Sequence, residues 1–127
     1  MTNSFWVIPD EIKIKTPLAL LREQASALTT MTKGLLVGEV KTGELGGRYI
    51  TVRLDITVPS LNAYRYTVLE YIQPPLIFPG TLYDRIRDEQ SEAFDEYGFT
   101  QAVRNILSSE QAQRIIEALL AQAQDSS

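Results

Sequence analysis

Residues 48–58, RYITVRLDITV, decide the fold of this chain of 127 residues, because apolar and polar side chains alternate along the whole stretch. The apolar set is Ile50, Val52, Leu54, Ile56 and Val58, and the other set is Tyr49, Thr51, Arg53, Asp55 and Thr57. Successive side chains of a strand point to opposite faces, so the pattern predicts a strand in a sheet with one dry and one solvated face.

The neighbouring stretches predict two further strands. Residues 35–41 form the first, and the glycine-rich stretch 42–47 turns the chain, since glycine takes positive φ at low cost. A corner at 59–62 leads into a third strand at 63–72. In that strand a single alternation places these side chains on the dry face: Tyr64, Tyr66, Val68, Glu70 and Ile72.

A helix is predicted before the sheet. Thr16 is a good N-cap, Pro17 suits the first helical position, and Gly34 stops the helix after residue 33. The helix carries two apolar stripes, about 110° apart around its axis by helix geometry. The first comprises Leu18, Leu21, Ala25, Leu28 and Thr32. The second comprises Leu20, Ala27 and Met31. Two stripes predict cover on both sides, the second by C-terminal helices or by another subunit.

The remaining segments complete a single domain over residues 1–127. Residues 1–10 are predicted to be an N-terminal arm whose apolar side chains pack on their own domain or on a neighbour. Residues 74–97 are predicted to be an irregular loop or short helix, since three prolines interrupt the chain there. Two helices follow, one capped by Thr100 and one by Ser108 in a capping box. The predicted class is α+β: an N-terminal helix, a three-stranded or four-stranded antiparallel meander, and C-terminal helices packed on one face of the sheet.

Composition limits the chemistry. The chain has no histidine and no cysteine, so it lacks the side chain that titrates nearest neutral pH and the thiolate nucleophile. Its net charge of −4 argues against nucleic-acid binding. Neither a membrane span nor a signal peptide is predicted, and the absence of cysteine fits a cytoplasmic protein. No catalytic motif, cofactor site or metal site is recognised.

Two groups of residues are candidate binding sites. The solvated sheet face is predicted to present Tyr49, Arg53, Asp55, Arg65 and Tyr71, residue types that are enriched at binding hot spots. The same residues also fit an ordinary sheet face with cross-strand Arg–Asp pairs. The alternative is a small-molecule pocket or modest enzyme site lined by Tyr64 and Tyr66, with Glu70 as a base.

Surplus apolar surface favours an interaction protein that forms a homodimer and that has room for a further protein partner. The predicted interface residues are Leu20, Ala27, Met31, Leu76, Ile77 and Phe78. The order of elements on an acidic chain resembles the layout of small acidic secretion chaperones, a likeness of fold layout without a shared motif.

Overall fold

The alternating stretch becomes the second of five antiparallel strands. The computed structural model describes residues 4–127, and the sheet order follows the chain. The elements are α1 (Pro17–Met31), β1 (Val37–Leu45), β2 (Tyr49–Val58), β3 (Tyr64–Gln73), β4 (Gly80–Asp84), β5 (Glu89–Ala93), α2 (Glu96–Leu107) and α3 (Glu110–Ser126). The predicted α+β class with an N-terminal helix, antiparallel sheet and C-terminal helices is confirmed, whereas the predicted number of strands is too low.

Helix α1 lies directly against the backbone of β1. The Thr16 hydroxyl accepts a hydrogen bond from the Ala19 amide at 3.1 Å, as the capping prediction requires. An added Cβ on Gly38 would lie 2.4 Å from the Ala25 carbonyl oxygen, so only glycine allows this approach. The Gly38 amide donates to the Thr29 hydroxyl at 2.9 Å, and that hydroxyl donates to the Ala25 carbonyl at 3.1 Å. These bonds hold α1 against β1, the strand at one edge of the sheet.

A β-bulge in β3 changes which side chains enter the core. Leu54 of β2 faces Leu69, but Asp55 faces Thr67, so Val68 has no partner of its own. The extra residue shifts the alternation by one, and both Val68 and Leu69 are buried. The prediction of a single alternation along this strand is therefore wrong beyond Val68.

Residues 74–97 contain a hairpin that the sequence analysis did not predict. Strands β4 and β5 pair across a turn at residues 85–88, where Asp84 accepts hydrogen bonds from the amides of Ile86 (2.9 Å) and Arg87 (3.1 Å). The Asp84 carboxylate also accepts from Nε of Arg87 at 2.6 Å. Strand β5 reads EQSEA and buries only Ala93, so it carries no apolar alternation. The loop-or-helix prediction agrees with residues 74–79, which have no regular structure, but is wrong for the two strands.

The C-terminal helices cover the dry face. Helix α2 begins earlier than predicted, because Asp95 rather than Thr100 caps it by accepting from the Gly98 amide at 2.7 Å. Helix α3 is capped by Ser109, not by the predicted Ser108. The Phe99 ring of α2 packs 4.7 Å from the Tyr71 ring of β3, centroid to centroid. This aromatic contact joins α2 to the sheet.

Within residues 4–127, none of the helices has the combined length and apolar character that crossing a membrane requires.

Candidate functional site

The outer sheet face, the side of the sheet opposite the helices, centres on a buried carboxylate. Asp55 is 0% exposed, and its oxygens lie 3.0 and 3.1 Å from Nε of Arg53. The Thr67 hydroxyl donates to Asp55 at 2.9 Å, and Nε of Arg65 lies 3.6 Å away. The side chains of Arg53 and Arg65 are 35% and 50% exposed. They therefore shield Asp55 from water while remaining in contact with water on their outer sides. The two arginines more than balance the charge of Asp55, and Arg65 pairs with it across the strands, as expected of a solvated sheet face.

A second ion pair lies beside this cluster. Glu70 faces Arg53 across the strands and pairs with Arg85 at 3.3 Å. The guanidinium of Arg85 also lies 5.0 Å from the ring centroid of Tyr83, within the range of a cation–π contact. Sequence reasoning missed Tyr83 and Arg85 as members of this face, because the strand that brings them there, β4, was not predicted.

Four of the five residues predicted for this face lie on it, and three of them are in contact. Arg53, Asp55 and Arg65 share it, and Tyr49 lies half-exposed at the end of β2. Tyr71 was placed there wrongly: the bulge turns it into the core, where it is 0% exposed. Its hydroxyl donates to the Ile77 carbonyl at 2.8 Å. Burial, assisted by the charge of Glu92, raises the pKa of Tyr71 to about 12.

The predicted alternative pocket does not form. Tyr64 and Tyr66 face Val58 and Ile56 on the dry side of the sheet, whereas Glu70 lies on the outer sheet face after the bulge. Burial, together with the charges of Tyr64 and Asp84, raises the pKa of Tyr66. The three side chains therefore do not surround a common cavity.

An apolar groove opens between α1 and α3, above the dry face of the sheet. Its volume is about 200 Å³. It is lined by Gln24, Ala25, Ala27, Leu28, Met31, Leu54, Ile56, Val68, Ile86, Leu107, Ala112, Ile115 and Ile116. Gln24 is the one polar residue in this lining. Met31, at 82% exposed, lies on the groove's open side.

The predicted interface residues fall in three places. Ala27 and Met31 line the apolar groove, while Leu20 lines an adjoining cleft between α1 and α2. Leu76 is 86% exposed in the 74–79 loop. Phe78 is half-buried and packs 6.1 Å from the Tyr71 ring, and Ile77 beside it is also half-buried. The 74–79 loop is thus held to the core at Phe78 and exposed at Leu76.

The N-terminal arm contacts little of its own domain. Its first three residues lie outside the described part of the chain. Phe5, Trp6, Val7 and Ile8 are 97%, 84%, 91% and 74% exposed, so packing on their own domain is not what the structure shows. Between the arm and α1, Lys15 forms an exposed ion pair with Glu23 of α1. Residues 12–16 have no regular structure.

Across residues 4–127, we find no group of three or more histidine, cysteine, aspartate or glutamate side chains placed to hold a metal ion.

Comparison with known proteins adds one partial likeness. No protein-family model matches the chain, and no solved structure matches it. The chain is similar to the fructose-bisphosphate aldolase of Echinococcus multilocularis, with 31% identity over 75 residues. That match covers 54% of this chain and spans 21% of the aldolase, about a fifth of its length. A likeness of this extent does not show the family.

Proposed function

We propose that this protein is a small homodimeric interaction module that acts by binding protein surfaces in the cytoplasm. The observation that carries the proposal is the exposure of Phe5, Trp6, Val7 and Ile8 in one continuous run. Single exposed apolar residues are normal on a protein surface, but a contiguous apolar run tends to mark an interaction site. The apolar groove adds a second such surface on the same chain.

The ionisable groups support a binding role over a catalytic one. Asp55 and Glu70, the carboxylates that sequence reasoning singled out, are both engaged with arginines. Histidine and cysteine are absent from the whole chain. The alternative of a ligand site or modest enzyme around Glu70 gains no support, because Glu70 and the two tyrosines proposed to act with it lie on opposite faces.

The oligomeric state tests the proposal directly. Sedimentation equilibrium over a range of protomer concentrations should show a monomer–dimer transition. Replacing Met31 with glutamate places a charge beside the apolar groove and should weaken the dimer at least about tenfold, because the charge must be desolvated on association. Ala19→Glu is the matched control, since Ala19 is an exposed α1 residue outside the groove lining.

A strict monomer at high micromolar concentration would refute the proposal. If Met31→Glu weakened the dimer no more than Ala19→Glu does, the interface would lie away from the groove.

A further inference from the structure

The protein carries an exposed apolar segment, Phe5–Ile8, and an open apolar groove between α1 and α3. We propose that the N-terminal arm of one copy lies in the apolar groove of a second copy, with Trp6 inserted between α1 and α3. This inference rests on the proposed dimer and names the contact that forms it.

The groove matches one aromatic ring in size. It encloses about 200 Å³, and an apolar protein cavity of about 150 Å³ is known to accept benzene. The arm offers Phe5 and Trp6. Trp6 is the better fit, because a buried indole N–H needs an acceptor and Gln24 supplies an amide oxygen in a lining that is otherwise apolar.

The area involved suits a stable dimer. A groove of this size takes one aromatic ring, and a buried aromatic side chain removes roughly 150–250 Å² from water. Two reciprocal Trp6 rings and the groove walls that they cover therefore account for about 800 Å², and the other apolar residues at 5–8, packed at the rim of the groove, supply the rest of the about 1,200–2,000 Å² typical of specific interfaces.

A second copy supplies the groove that the arm does not contact on its own domain. Phe5, Trp6, Val7 and Ile8 are 74–97% exposed, and Met31 at the open side of the groove is 82% exposed, so the arm does not cover its own groove. Reciprocal exchange about a twofold axis brings each arm to a groove and makes each contact twice.

Trp6 is the only tryptophan in the chain, so its fluorescence reports on the arm alone. We expect the emission maximum to move to shorter wavelength, and quenching by acrylamide to fall, as protomer concentration rises. Both changes should follow the same transition as the mass measured by sedimentation.

Two variants and their mixture identify the donor and the acceptor. Trp6→Ala removes the inserted ring, and we expect the dimer to weaken by about thirtyfold or more, as for a tryptophan hot spot. Ala27→Arg obstructs the groove and should weaken the dimer similarly, whereas Ala118→Arg, at an exposed α3 position outside the lining, should not. Mixing Trp6→Ala with Ala27→Arg should form a heterodimer more readily than either variant forms a homodimer, because one intact arm then meets one intact groove.

The outcomes separate the possible failures. A monomer whose Trp6 is shielded at every dilution places the arm in its own groove and overturns the inference. A dimer whose Trp6 stays accessible to acrylamide overturns the inference but leaves the proposed dimer intact. A monomer with accessible Trp6 at all concentrations overturns both. Trp6→Ala lies on an exposed arm, so the test holds even if Ala27→Arg does not fold.

Discussion

Replacing Asp55 with asparagine should destabilise the fold by about 2 kcal/mol. The substitution keeps the side-chain volume and the acceptor for the Thr67 hydroxyl but removes the charge that Arg53 contacts at 3.0 and 3.1 Å. A hydrogen bond to a charged group contributes about 1.5–3 kcal/mol. The lower half of that range applies here, because both arginines are partly exposed and regain water when the carboxylate charge is lost.

Glu39→Gln is the matched control for this prediction. Glu39 lies directly opposite Asp55 on β1, and it pairs with Lys41 at 3.3 Å. The side chains of Lys41 and Glu39 are 48% and 31% exposed, whereas Asp55 is fully buried, so the loss of this surface pair should cost less than about 0.5 kcal/mol. The two variants therefore compare a shielded and an exposed carboxylate in the same row of the sheet.

Urea unfolding followed by far-ultraviolet circular dichroism measures the difference. The fluorescence of Trp6 is unsuitable, because Trp6 lies on the exposed arm rather than in the sheet. Protomer concentration must be equal for all variants, since dimerisation would shift the apparent stability by mass action. Equal urea midpoints for Asp55→Asn and Glu39→Gln, with unchanged slopes, would show that the buried carboxylate contributes no more than a surface ion pair and would refute our account of the outer sheet face.

Three other predictions follow from individual contacts. The pKa of Tyr71 is raised from 10.0 to about 12, so the folded state holds the phenolic proton more tightly than the unfolded state does. The resulting contribution to the free energy of unfolding is fully present below pH 10. Stability should therefore fall by at most about 2–3 kcal/mol as pH rises from 10 to 12, and Tyr71→Phe should flatten that part of a stability–pH profile. Gly38→Ala should cost about 1–3 kcal/mol in urea unfolding, since the new methyl group meets the Ala25 backbone; an unchanged midpoint would contradict the close packing of α1 on β1. Ser109→Ala removes the N-cap of α3 and should lower the melting temperature through the loss of about 1 kcal/mol, more than Ser108→Ala does. A larger decrease for Ser108→Ala would show that Ser108 is the cap.

Strong local patterns predicted most of the sheet and of the first helix. β2 was predictable because its alternation runs unbroken, and α1 because Thr16, Pro17 and Gly34 each carry a boundary signal of their own. β5 was not predictable, because an edge strand needs few apolar residues and Glu89–Ala93 buries only Ala93. In such a strand the pairing partner, rather than the strand's own pattern, determines the structure.

The candidate site was predictable only up to the bulge. Arg53, Asp55 and Arg65 precede the break in alternation, and the structure brings them together as their spacing predicts. Glu70 and Tyr71 follow it, and each lies on the face opposite to its prediction. A shift of one residue reverses every later side chain, so a single bulge converts a predicted binding tyrosine into a core residue and a predicted pocket carboxylate into a surface ion pair.

The two edges of the sheet bear on how copies of this chain associate. At one edge, Thr29 of α1 and Thr32 just after it accept hydrogen bonds from the Gly38 and Leu36 amides, at 2.9 and 3.2 Å, and so cover the start of β1. At the other edge, β5 is short and mostly polar, two properties by which natural proteins discourage strand pairing between molecules. Association by extending the sheet is therefore disfavoured at β5 and at the start of β1. The exposed apolar surface lies elsewhere, on the N-terminal arm and at the apolar groove, and this distribution favours contact through side chains over contact through the backbone of the sheet.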